Sequence, residues 1–295
     1  NAFPDFVLGS ENKYQYLPNG IDCERCHGPG QLHVENISKG NIIDTSKHID
    51  YSIVNPKHLS IELQNDICAR CHLQGNSVLQ PDKSFFDFKP GMYLSEVMDV
   101  YLPRFSGGEN DFIMASHFDR MKLSECYISS NEAMSCVNCH NPHHSVKNMP
   151  PDYFNNKCLD CHSNMSCSED ETKKKDLGND CVLCHMPNSK TIDIPHVTIT
   201  DHKIGIFKEN NNLEKNESKN FLGLACVNNE SPSNESIIQA YLQQYERFEP
   251  REYYLDSALL YLNKIDSLSH VGVYVSFYYF FLRNDFDNII QKVMR

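Results

Sequence analysis

Five copies of one short pattern, Cys-x-x-Cys-His, dominate the chemistry open to this chain. They are Cys23-Cys26-His27, Cys68-Cys71-His72, Cys136-Cys139-His140, Cys158-Cys161-His162 and Cys181-Cys184-His185. Two cysteines about one helical turn apart can each form a thioether to a vinyl group of haem, and the histidine that follows is then placed under the iron as its proximal ligand. Zinc sites rarely demand a histidine directly after the second cysteine, and a redox dithiol has no reason to recur five times. The pattern therefore predicts five haem c groups. Cys23, Cys26, Cys68, Cys71, Cys136, Cys139, Cys158, Cys161, Cys181 and Cys184 hold the macrocycles. His27, His72, His140, His162 and His185 are the proximal ligands.

Of the 14 histidines, nine remain after the proximal ones. Five far-side positions need filling if every iron is six-coordinate. A residue just after its own proximal histidine cannot easily travel round the macrocycle, so His33 and His143 as ligands must reach a neighbouring haem. His33 follows Gly28-Pro29-Gly30, a tight turn, and Pro142 stiffens the turn that presents His143. His196 and His202 lie just after the last motif, and His117 lies in the long gap between the second and third. His33, His117, His143, His196 and His202 are the leading distal candidates, ahead of His58 and then of His48 and His144. His270, in the helical C-terminal part, reads as structural. Asp201, beside His202, is placed to orient a histidine nitrogen through a hydrogen bond.

The chain has 295 residues, enough for one large or two modest domains. Ten of its 13 cysteines sit in the motifs, which leaves Cys126, Cys167 and Cys226. Two readings stand for these: a disulfide between Cys126 and Cys167, or three free buried thiols. Haem c is attached outside the cytoplasmic membrane, so a periplasmic or extracellular location is expected, where disulfides are permitted. The chain opens at Asn1 rather than Met, as a processed protein or a piece of a longer one would. The longest apolar run, Val271–Leu282, is too short for a bilayer, which needs about 20 such residues. A formal charge of −12 argues against nucleic acid as a partner. Lys173, Lys174 and Lys175 follow Glu169, Asp170 and Glu171 and read as a solvated loop.

Composition divides the chain into a haem-bearing domain over 1–207, a linker or loop over 208–233 and a helical region over 234–295. The first is rich in Asn, Pro, Gly and Asp with little sustained helical periodicity, as expected where porphyrin is much of the core. In the last, four runs recur at helical spacing. They are Ile237, Ile238, Tyr241, Leu242 and Tyr245; Leu255, Ala258, Leu259 and Leu262; Val271, Tyr274, Val275, Tyr278 and Leu282; and Phe286, Ile289, Ile290 and Val293 after a possible N-cap at Asp285. Paired antiparallel, they resemble tetratricopeptide (TPR) repeats. The expected fold class is mainly α with extensive irregular loops: a multihaem cytochrome c domain followed by TPR-like helical hairpins.

With these stretches in hand, the chain resembles multihaem cytochromes of the cytochrome c-554 type, in the branch that carries tetratricopeptide repeats. The resemblance rests on Cys-Glu-Arg-Cys-His-Gly-Pro-Gly-Gln-Leu-His (23–33), Cys-Ala-Arg-Cys-His-Leu-Gln-Gly (68–75), Cys-Val-Asn-Cys-His-Asn-Pro-His (136–143) and Cys-Val-Leu-Cys-His-Met-Pro (181–187). It implies that His33, His117, His143, His196 and His202 are distal ligands. Relatives of that kind often carry further motifs upstream of the first stretch, so five is a lower bound on haems if such a piece is missing.

Three functions follow from different classes. The leading one is non-catalytic electron relay between redox partner proteins, other cytochromes or copies of this chain among them. The second is an enzyme acting on a small nitrogen or sulfur oxyanion, like related nitrite reductases and hydroxylamine oxidoreductases. That needs an open iron, and the Cys-x-x-Cys-Lys often found at such a centre is absent from this sequence. The third is a subunit of a cytochrome filament or respiratory assembly.

Overall fold

The computed structural model describes residues 20–107, 113, 115–162, 167–191, 194–207 and 220–294. The first part of the expected linker, 208–219, lies outside the described residues. The chain divides into two compact units: 1–73, 89–93 and 111–215 form the first; 74–88, 94–110 and 216–295 form the second.

The first unit carries the third motif on a 3-10 turn, Cys136–Asn138, and the other four on members of a set of short helices. They are α1 (Glu24–His27), α2 (Gln31–Ser38), α3 (Ile61–His72), α4 (His117–Lys122), α5 (Glu125–Ser129), α6 (Tyr153–His162), α7 (Glu171–Asp176) and α8 (Cys181–His185). Side chains start several of them. Ser60 accepts from Leu63 N at the head of α3, Ser124 from Tyr127 N at α5, and Asp180 from Val182 N at α8. The lysine run is helical, not a loop: Asp170 caps α7, and Lys173 and Lys174 pair with Glu169 and Glu171. A two-stranded antiparallel sheet follows the last motif, Asn188–Lys190 against Thr198–Thr200.

The second unit adds to the expected mainly α build a sheet that the sequence did not suggest. Its first layer is an antiparallel sheet of strands Asn76–Leu79, Met98–Phe105 and Phe221–Cys226, the second strand in the middle. Residues 221–226, expected in the linker, thus form an edge strand. Residues 76–79 and 98–105, expected in the haem domain, belong to this unit. Pro103 is tolerated in the middle strand because it lies beyond the end of the first strand and pairs only with Leu224. Gly75, just before that strand, has room for no side chain: a Cβ would stand 2.8 Å from both Tyr101 O and Val100 Cγ1.

The second layer consists of α9 (Asn234–Arg247), α10 (Glu252–Leu262), α11 (His270–Leu282) and α12 (Phe286–Val293). These are the four runs read from periodicity, and Asp285 does cap α12 by accepting from Asn288 N. Ile238, Tyr241, Leu242, Tyr254, Leu255, Ala258, Val275 and Tyr279 from α9, α10 and α11 make one core, and Val78, Tyr101 and Ala240 join α9 to the sheet. Polar side chains fix that junction. Asn76 Nδ2 donates to Ala240 O at 2.7 Å, and Ser236 Oγ lies 2.6 Å from Asp99 Oδ2 and 2.9 Å from the Tyr101 hydroxyl. Most buried apolar side chains are in this unit, whereas the first has few, among them Ile67, Phe118, Met121 and Tyr127.

Candidate functional site

Four of the motif histidines end short helices, and the fifth, His140, stands two residues after a 3-10 turn. His27, His72, His162 and His185 are the last residues of α1, α3, α6 and α8. The third motif opens with a 3-10 turn, Cys136–Asn138, closed by reciprocal bonds between Ser135 and Asn138. Helical geometry brings the two cysteines of a motif to one side and delivers the histidine immediately after them.

Three proximal rings have a second imidazole beside them. His27 and His143 stand 6.0 Å apart between ring centres with planes 9° from parallel. His72 and His117 are 5.5 Å apart, and His140 and His202 are 6.0 Å apart. His117 and His202 are themselves 4.8 Å apart, so His72, His117, His202 and His140 form one row. Two imidazoles bound to opposite faces of one metal, each at about 2.0–2.1 Å, hold their ring centres roughly 6 Å apart. A haem iron asks a protein for two axial ligands, and the first three motifs fit that demand. In each pair the partner belongs to no neighbouring stretch of the same motif; His143 follows the third motif and meets the first.

Hydrogen bonds set the ring nitrogens in four of these histidines. His27 Nδ1 bonds Val54 O at 2.8 Å, His185 Nδ1 bonds Gly205 O at 3.0 Å, and His202 Nδ1 bonds Thr200 O at 3.1 Å. His33 Nδ1 meets Asp50 Oδ2 at 3.0 Å and Ser52 Oγ at 3.2 Å. Such bonds put the proton on Nδ1 and leave Nε2 as the lone-pair donor, the usual arrangement of a metal-bound histidine. Burial also disfavours the charged form of three rings of the row. Burial first, then repulsion from His202, His72 and His140, pushes His117 down to about 4. His140 and His202 are lowered for the same leading reason.

The cysteines connect the motifs in chain order. Cys26 of the first is within electrostatic reach of Cys68 and Cys71 of the second. The Cys68 thiol is within electrostatic reach of Cys136 of the third. Cys139 is within electrostatic reach of Cys161 of the fourth, and Cys158 of the fourth within reach of Cys181 of the fifth. Asn65 anchors the third motif on α3, its Oδ1 accepting from Cys136 N at 3.2 Å and its Nδ2 donating to Met134 O at 3.1 Å. Beside His27 lies a cleft of about 380 Å³, lined by Pro29, Tyr51, Val54, His58 and Leu59. Large apolar side chains stand exposed in and around the motifs, including Leu32, Val137, Leu159 and Leu183. No group of three or more His, Cys, Asp or Glu among the described residues is placed to hold a bare metal ion.

The other candidates are placed as follows. His33 sits on α2, behind the turn at Gly28 (φ +73°), with its ring held by Asp50. His196 is exposed, with φ +66°. His162 and His185 stand outside the three ring pairs. The carboxylate of Asp201 is bonded by Arg120, a residue the sequence did not single out, rather than by a histidine nitrogen. Arg120 Nε donates to Asp201 Oδ1 at 2.9 Å and Nη2 to Oδ2 at 2.6 Å, with both side chains buried. Burial alone would raise the Asp201 carboxyl, but the bonds from Arg120 and from Lys203 N bring it below the ordinary aspartate value. Cys126, Cys167 and Cys226 are free thiols, but none is buried: Cys126 and Cys226 are half-buried and Cys167 is exposed. No helix among the described residues is long and apolar enough to cross a membrane.

No family model matches the chain, and neither a curated protein nor a solved structure matches it.

Proposed function

We propose that this chain is an exported multihaem c-type cytochrome that relays electrons between redox partners. Ten cysteines would carry five haem c groups, with His27, His72, His140, His162 and His185 below the irons. His143, His117 and His202 would close the far sides at the first, second and third motifs. His33 and His196 are the remaining candidates for the other two. When bound, haem c supplies an iron that gains and loses one electron, and paired nitrogen ligands hold its potential lower than His/Met ligation does.

The observation that carries this reading is the pairing of three motif histidines with three non-motif histidines at 5.5–6.0 Å. Among these six, His27 and His202 have their Nδ1 bonded to a backbone carbonyl, which turns Nε2 outward as the lone-pair donor, and burial disfavours the charged form of His117, His140 and His202. The order of contacts among the motif cysteines supports a relay in which each centre neighbours the next. The four C-terminal helices, with their resemblance to tetratricopeptide repeats, would supply the surface that docks a partner.

The test is the intact mass of the matured protein, with a haem count by alkaline pyridine spectroscopy. The expected mass exceeds that of the polypeptide by five haems. Three haems or fewer, or stoichiometric zinc in their place, would overturn the proposal.

A further inference from the structure

The row of four imidazoles includes two histidines carried by short elements. His117 opens α4, a helix of six residues, and His202 follows a strand of three. Between these elements runs one buried cross-link. Arg120 stands one helical turn after His117; Asp201 is the residue before His202. Their fork of two bonds, 2.9 and 2.6 Å, joins positions 81 residues apart. The side chains are only 2% and 4% exposed. Asp201 is fixed from two further sides: its Oδ1 accepts from Lys203 N at 2.9 Å, and its own N donates to Pro187 O at 3.0 Å.

A buried ion pair contributes little net stability, because desolvation offsets the attraction. A bidentate arginine–carboxylate fork does something else well: it fixes distance and orientation together. We infer that Arg120 and Asp201 are positioning residues that hold His117 and His202 in register as far-side ligands for the irons of the second and third motifs. This inference rests on the cytochrome reading above.

Three variants of the full chain test it. D201N removes the charge and half of the fork. R120K keeps the charge but not the bidentate geometry. R120M/D201L replaces the pair by apolar side chains, an exchange that commonly spares a fold. Haem content by intact mass comes first, then the reduced spectrum under carbon monoxide. In D201N and R120M/D201L the irons at His72 and His140 are expected to bind carbon monoxide while the rest stay closed; R120K should show a smaller fraction. If D201N fails to mature, the apolar pair decides. Haem-loaded D201N or R120M/D201L whose spectra match wild type would overturn the clamp alone. A wild-type chain that matures without haem would instead remove the cytochrome reading on which it rests.

Discussion

His143 shows how much a single residue carries. It lies three positions after its own motif's proximal histidine, His140, and its backbone N is held by Asn141 Oδ1 at 3.0 Å. That turn points it away from its own site, and its ring meets His27, more than a hundred residues earlier. Sequence geometry anticipated that it would reach a neighbouring motif, though not which one. His143→Ala should therefore leave five haems attached and open one iron. Carbon monoxide should bind to a single centre, and the iron of the third motif should be unaffected; a spectrum identical to wild type would exclude the pairing. Arg120 was illegible for the opposite reason. Nothing in its local sequence marks it, because its meaning comes entirely from Asp201, in a distant segment. Asp201 was noticed for its neighbour His202, but the stronger and better-shaped partner took it: a guanidinium can fill both carboxylate oxygens where an imidazole fills one.

At the scale of elements, legibility followed the range of the interactions. The motif helices and α9–α12 depend on spacing and caps within a few residues, so cysteine spacing and apolar periodicity found them. The sheet depends on pairing across long separations: Tyr101 is in register with Cys226, and Arg104 with Gly223. Its strands are short and interrupted by proline and glycine, and their pattern was read as loop. The helices are secured by burial more than by propensity. Leu242 on α9 is fully buried in the core shared by α9, α10 and α11. Leu242→Ala should cost about 2–5 kcal/mol of stability, measured as a lowered midpoint of chemical denaturation. Because the motifs belong to the other compact unit, the haem spectrum of the native variant should not change. A cost below about 0.5 kcal/mol, the ordinary effect of a surface substitution, would contradict the assigned core.

For the whole molecule, the two units embody different solutions to stability. The second buries a conventional core of helices against a sheet. The first has short helices, few buried apolar residues and many exposed ones around its motifs, and under the proposed function haem would cover these. The boundary between them could not be read from composition, because the second unit borrows 74–88 and 94–110 from between the second and third motifs. What composition did capture is the concentration of every haem motif, and of all but one histidine, upstream of residue 205. The claim at the centre of this account is that these histidines close the irons, so that the protein passes electrons without binding a substrate. The most direct measurement is the visible spectrum of the reduced, fully matured protein before and after carbon monoxide. The account predicts low-spin haem c bands that do not change when the gas is added. Carbon monoxide binding to the irons of the first three motifs, or the absence of haem c bands altogether, would contradict it.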